Sequence, residues 1–147
     1  MVLLCIYNSI MNTKEIGDIS ESAVVTQLLK CGLSVSIPFG DRSRYDLILD
    51  DGKKLHKVQV KTAQYLKDKL IVRAYSISTK EGKTIKNTYS NDVDFIAAYC
   101  HELDKVYIIP IAAVGNGGVI TLRLADTKNN QKNKVTPAEQ FVITNVL

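Results

Sequence analysis

Two short runs rich in β-forming residues, separated by Asp51-Gly52, constrain this chain more than any other feature. Tyr45-Asp46-Leu47-Ile48-Leu49-Asp50 precedes the pair, and Lys54-Leu55-His56-Lys57-Val58-Gln59-Val60-Lys61 follows it. Asp-Gly between such runs predicts a β-hairpin with a type I′ turn, whose two central residues both need positive φ. Successive side chains along a strand point to opposite faces. Asp46, Ile48 and Asp50 therefore share one face of the first strand, and Lys57, Gln59 and Lys61 share one face of the second. A register that brings Asp46 beside Gln59 and Lys61 gathers a carboxylate, an amide oxygen and an ammonium at one end of the hairpin. Oxygen donors of this kind hold a hard cation, and the ammonium places positive charge beside a phosphate.

The rest of the chain reads as elements that frame this hairpin. Residues 12–31 carry apolar side chains at helical spacing (Ile16, Ile19, Ala23, Leu28), with Asn12 and Glu15 as a capping box and Gly32 as the stop. Residues 33–39 alternate as a strand that Pro38 confines to an edge or bend. Residues 70–78 read as another strand. The polar stretch 79–91, with Lys80, Lys83 and Lys86, reads equally as a solvated loop or as a positively charged hairpin. Residues 94–100 and 106–109 are nearly continuous apolar runs, the pattern of central strands covered on both faces. A short helical turn at 111–114, a glycine-rich turn at 115–118 and a strand at 119–124 follow. Gly115-Asn116-Gly117-Gly118 lacks the Lys-Ser/Thr of a phosphate loop and reads as a turn. Residues 125–135 are rich in Asn and Lys and read as a loop. Thr136-Pro137 looks like a helix cap followed by its first helical residue. The apolar tail Phe141, Val142, Ile143, Val146 and Leu147 reads equally as an oligomer interface or as a last strand packed on its own domain.

Charge and cysteine content narrow the class. At 147 residues the chain fits one domain with a sizeable core. Its net charge of +4 is compatible with nucleic acid without requiring it. The basic residues concentrate in and after the hairpin and again at Lys128, Lys132 and Lys134. Cys5, Cys31 and Cys100 have no paired spacing and no zinc pattern, which points to free thiols in a reducing cytosol. No apolar run is long enough to span a membrane. The apolar residues 1–10 lack a basic start and do not read as a signal peptide. They read as an oligomer contact or, preferably, as an extension upstream of a true start at Met11.

Asp46, the hairpin turn, and Gln59-Val60-Lys61, with Glu21 on the preceding helix, together resemble the PD-(D/E)XK nuclease superfamily. The order of elements and the Gln at 59 look most like its cyanobacterial group I intron homing endonucleases. Two positions depart from the motif: Tyr45 stands where the motif has Pro, and Gln59 where most members have Asp or Glu. The resemblance implies an α/β (α+β) fold with a restriction-endonuclease-like core, a mixed central β-sheet flanked by helices. It implies one nuclease domain over residues 12–147, with 1–11 as an N-terminal extension, acting in the bacterial cytosol.

The implied site is Glu21, Asp46, Gln59 and Lys61, with magnesium, or manganese in its place, held by Glu21, Asp46, the Gln59 amide oxygen and the Val60 carbonyl. Lys61 then stabilises charge on the scissile phosphate. Taken alone, Glu21 is a solvated helical residue and Gln59-x-Lys61 an exposed polar strand face. The substrate implied is double-stranded DNA, contacted by Arg42, Arg44, Lys80, Lys83, Lys86, Lys128 and Lys132. So short a chain with one site implies a homo-oligomer, a dimer or tetramer, if both strands of a long target are to be cut. A Holliday-junction resolvase or restriction-type nuclease shares the motif. A non-catalytic DNA-binding module on the same scaffold is the alternative that Gln59 favours.

Overall fold

The computed structural model describes residues 11–125 and 135–147. Residues 1–10, and Lys128, Lys132 and Lys134 with them, lie outside the described residues. In chain order the elements are α1 (Thr13–Lys30), β1 (Ser34–Ser36), β2 (Leu47–Asp50), β3 (Leu55–Thr62), β4 (Gln64–Leu66), β5 (Lys69–Arg73), β6 (Tyr75–Lys80), β7 (Lys83–Thr88), β8 (Phe95–Cys100), β9 (Lys105–Pro110), β10 (Val119–Arg123) and α2 (Ile143–Val146). Single turns of 3-10 helix cover Ile111–Ala113 and Ala138–Phe141.

Helix α1 begins and ends where its sequence specifies. The Asn12 side chain accepts from the amides of Lys14 and Glu15, both at 3.0 Å, and Glu15 accepts in return from the Asn12 amide at 2.8 Å. At the other end Gly32 takes φ +77, Gly32 N donates to Leu29 O, and Leu33 N donates to Leu28 O. That pair of bonds satisfies two of the carbonyls in the last turn of the helix.

The central sheet has the order β1-β2-β3-β8-β9. It is mixed: β3 and β8 run parallel, with Val58 opposite Phe95 and Thr62 opposite Tyr99, and every other pair is antiparallel. One face is covered by α1, where Val24 and Leu28 pack on Leu47, Leu49, Val58, Val60 and Ile108. The opposite face is covered by a three-stranded antiparallel sheet, β10-β5-β4, where Leu70, Val72, Ile120 and Leu122 meet Ile96, Ala98 and Ile109. Helical cover thus comes from α1 and the short α2, and β-structure supplies the other layer. Each fully buried Leu or Ile here is worth about 1.5–3 kcal/mol, so the sheet that carries the site is held on both faces.

Several local expectations change. The Asp51-Gly52 hairpin forms, but not with a two-residue I′ turn. Asp50 pairs with Leu55, leaving a four-residue loop, and only Gly52 of the two has positive φ (+82). Asp51 organises this loop instead. Its carboxylate accepts from the amides of Lys53 and Lys54 at 2.8 and 2.7 Å and lies 2.8 Å from His56 Nε2. The bond to His56, then those amides, hold the Asp51 carboxyl well below the usual carboxylate range.

The expected strand 70–78 breaks at Ala74 into β5 and β6. There Gly118 comes so close, with φ +68, that a Cβ would lie 3.1 Å from both the Ala74 carbonyl and Thr88 Cγ2. The stretch 79–91 is neither a free loop nor disordered coil: β6 and β7 form a two-stranded ribbon closed by Glu81 (φ +51) and Gly82 (φ +74). Thr136 is not a helix cap, because the turn at Ala138–Phe141 starts after an extended Pro137 with no side-chain cap bond. The tail packs on its own domain as a turn and α2 rather than as a strand, with Phe141 and Ile143 buried in the two cores.

Candidate active site

The site lies where β2 stops and β3 continues. β2 begins at Leu47, opposite Val58, so β3 runs on through Gln59–Thr62 with no β2 residue beside it on that side. Along an extended strand the amide and carbonyl of one residue point to the same side. Odd-numbered residues of this segment face β8, as the bonds of Asp94 N to Lys57 O and Ala63 N to Tyr99 O show. The amide and carbonyl of Val60 therefore face the gap that β2 leaves.

Asp46 fills part of that gap. Its amide donates to Val58 O at 2.9 Å, although Val58 is already the partner of Leu47, so the hairpin register shifts by one residue at Asp46. Asp46 Oδ2 accepts from Val60 N at 2.7 Å and from Gln59 Nε2 at 2.6 Å. Gln59, which is buried, and Lys61 share one face of β3, whereas Asp46 lies in the bend before β2, outside the expected strand, and reaches the edge of β3 through its carboxylate.

Glu21 approaches from α1. With Asp18, Val25, Ile37, Asp46 and Leu47 it lines a cleft of about 480 Å³. Its carboxyl is raised above its ordinary value, first by partial shielding from solvent, then by the charge of Asp46, then by that of Asp18. Asp46 is raised as well. Burial dominates, and is opposed by the Val60 amide, the Lys61 charge and the Gln59 amide. Two carboxyls that repel each other in a shielded cleft form a receptor for positive charge. Helix α1 is fixed there by Ser20. Its hydroxyl donates to Ile16 O at 3.0 Å and lies 2.7 Å from Thr62 Oγ1 and 3.1 Å from His101 Nε2. This contact ties the residue next to Glu21 to the end of β3, and no feature of the sequence signals it.

The donor set fits a divalent cation. No three His, Cys, Asp or Glu side chains converge among the described residues, so neutral oxygens must complete any shell. Two are at hand. The Val60 carbonyl has only a long 3.5 Å contact, from Gln59 Nε2. The Gln59 amide lies against Asp46, and a half-turn about its last bond presents oxygen where NH₂ now donates. A cation there replaces the amide hydrogens as the partner of Asp46.

Lys61 lies at the same end but is not paired with a carboxylate. Its Nζ donates to Tyr89 Oη at 3.3 Å and sits 4.9 Å from the centre of that ring. Of the expected DNA contacts, Arg42, Lys80 and Lys83 are exposed. Lys80 and Lys83 face each other at the tip of the ribbon. Lys86 is on the other face of the ribbon, its ammonium bonded to Gly117 O and 4.0 Å over the Tyr75 ring. Arg44 is likewise engaged inside the protein. Nε donates to Asp92 at 3.1 Å, Nη1 to Ser76 Oγ at 3.1 Å and Nη2 to Thr88 O at 2.9 Å, and the guanidinium stacks 4.6 Å over Tyr89. Both are held by protein groups, with Lys86 exposed and Arg44 half-exposed.

Residues 11–144 match a family model described as PD-(D/E)XK endonuclease. Among solved structures the chain is similar to that of a bacterial homing endonuclease, I-Ssp6803I. The two are 33% identical over 83% of this chain and 84% of that one, with a TM-score of 0.68. Comparison with curated proteins gives no match.

Proposed function

Since this chain belongs to the PD-(D/E)XK endonuclease family, we propose that it is a homing endonuclease. Its substrate is double-stranded DNA, its ion magnesium with manganese as a substitute, and its setting a bacterial cytosol. The observation that carries this reading is the gap beside β3. There Asp46 lies 2.6 Å from the Gln59 amide, the Val60 carbonyl points inward, and Glu21 and Lys61 are close enough to act on the Asp46 charge. The likeness to a homing endonuclease of similar length supports the finer class.

Glu21, Asp46, Gln59 and Val60 would hold the ion, which supplies an acidified water and charge neutralisation at the phosphate. Asp46 keeps the Gln59 amide and the edge of β3 in place. Lys61 sets a positive charge where the pentacoordinate phosphate builds negative charge. Lys80 and Lys83 at the ribbon tip, Arg42 in the loop before β2, and Lys128 and Lys132 reach DNA phosphates. One site cuts one strand, so cleaving both strands of a long target calls for a homo-oligomer, a dimer or a tetramer.

The single neutral residue at 59 keeps a second reading in view, a DNA-binding module without catalysis. Incubation of long duplex DNA containing candidate target sites with magnesium, against the same mixture with EDTA, separates the two. Cleavage with magnesium alone supports the nuclease, and binding without cleavage in either supports the module. Preference for four-way junctions over linear duplex would replace homing by junction resolution. A monomer in sedimentation equilibrium, with and without duplex, would remove the oligomer.

A further inference from the structure

We propose that Tyr89 is the positioning residue for Lys61, and that it joins the β6–β7 ribbon to the catalytic end of β3. This rests on the endonuclease reading above and names a residue that its motif does not contain.

Tyr89 follows β7 directly and is 5% exposed. Its hydroxyl is the only hydrogen-bond acceptor for the Lys61 ammonium among the described residues, at 3.3 Å. Lysine is a flexible stem bearing a point charge, so its position must be imposed from outside. Asp46 and Glu21 are the obvious partners, yet neither forms an ion pair with Lys61 among the described residues. The choice of partner has a consequence. A carboxylate would hold the ammonium while cancelling its charge. A phenol holds it through one hydrogen bond and the negative face of its ring, and leaves the charge for a phosphate.

The same ring carries a second cation. Arg44 stacks 4.6 Å from its centre, and Lys61 lies 4.9 Å from it. Arg44 in turn grips both strands of the ribbon at its base, Ser76 in β6 and Thr88 in β7, and the Asp92 carboxylate beyond. Arg44 is two residues from Asp46. One guanidinium and one aromatic ring thus link the ribbon base, the loop that delivers Asp46, and Lys61. A ribbon seated on DNA presses on Tyr89 through Arg44, and Lys61 is held to the same ring. Binding energy gained far from the cut is in this way connected to the geometry of the reacting centre.

The test uses Tyr89→Phe, which keeps the ring and both cation contacts and removes only the hydroxyl. Single-turnover cleavage should fall about tenfold, the effect of removing one hydrogen bond to a charged group. DNA affinity measured in calcium, and the melting midpoint, should stay unchanged. In the Lys61→Ala background the second change should cost nothing further. An unchanged rate for Tyr89→Phe overturns the proposal, as does an equal loss in both backgrounds, which would mean a general structural role. Relaxation of the Lys61 side-chain ¹³Cε in the metal-free protein reads the same contact without cleavage. It should be ordered in the wild type and mobile in Tyr89→Phe, and equal mobility in the two overturns positioning. If the wild type cuts no duplex, the endonuclease reading fails while the relaxation result still decides what Tyr89 does.

Discussion

Two of the hairpins in this molecule, β2–β3 and β6–β7, have opposite exposure. In β2–β3, every residue from Val58 to Val60 is buried and the hairpin sits inside a five-stranded sheet covered on both faces. In β6–β7, the four tip-ward residues of each strand, Ile77–Lys80 and Lys83–Lys86, are exposed, and the ribbon pairs with no other strand among the described residues. An isolated two-stranded ribbon is marginally stable in water. The first hairpin therefore holds its side chains in fixed geometry, and the second can shape itself to a surface. The difference predicts that changes in β2–β3 act on the rate of bond cleavage, and changes in β6–β7 act on affinity.

The sharpest break between the two regions is Lys61→Ala. Cleavage should fall about a thousandfold or more, as expected for losing a charge aimed at the transition state, while duplex affinity in calcium stays within a few-fold. Comparable losses of affinity and rate would erase the distinction. Asp46→Asn should come next, with cleavage lost and magnesium no longer raising the melting midpoint. Both Asp46 and Glu21 titrate above their ordinary values, so the folded state holds their protons more tightly than the unfolded chain does. Their contribution therefore favours folding at low pH and is lost as pH rises through the folded values. It follows that Asp46→Asn, measured without metal at neutral pH, should melt no lower than the wild type. Magnesium affinity should weaken on acidification while the pH is still above the ordinary carboxylate range, because protons compete for the same oxygens. A midpoint well below the wild type would show that the Asp46 charge is structural.

On the ribbon, replacing both Lys80 and Lys83 by Ala should weaken duplex binding by tens-fold at low salt. It should also flatten the slope of log affinity against log salt by about 2, one unit for each phosphate that is no longer neutralised. Cleavage at saturating DNA should be unchanged, and a drop there would mean that the ribbon also serves chemistry. Gln59→Glu should keep activity within about tenfold of the wild type, since it offers oxygen in nearly the same volume. Complete loss with an intact fold would assign the function to the amide NH₂ that now donates to Asp46. The smallest effect belongs to Glu81→Asn at the ribbon turn. A residue that tolerates positive φ should slow amide exchange across β6–β7 by an amount corresponding to about 0.5–1 kcal/mol, with no change in the exchange of β2–β3.

What the sequence discloses follows from the range of the interactions involved. Gln59 and Lys61 are set on one face by alternation along β3, and the capping box of α1 is a matter of residues three apart. Both are readable. The neighbour that holds Lys61 is 28 residues away in Tyr89, and Arg44 reaches residues 32 to 48 positions further on. No periodicity carries that information, so the hold of Arg44 on the ribbon base does not show in the sequence. The turn types differ from expectation for a local reason. Asp51 satisfies loop amides with its own carboxylate and has no need of a primed turn. Glu81, a residue with no preference for positive φ, adopts it because the pairing of Lys80 with Lys83 leaves only two residues to close the ribbon. The break at Ala74 is set by Gly118, 44 residues later.

The parallel pairing of β3 with β8 has a kinetic consequence. It joins residues such as Lys61 and Ala98, and everything between them, both the ribbon and most of the second sheet, must be threaded through before the two strands meet. Contacts of such long sequence separation form late, after the entropy of closing the intervening loop has been overcome. A chain emerging from the ribosome displays Glu21, Asp46 and Lys61 well before Phe95 is made, but β3 then has no strand on its β8 side to flatten and fix it. The candidate site is therefore among the last parts of this protein to take shape. A half-made copy exposes the basic residues proposed to attract DNA without the geometry proposed to sever it.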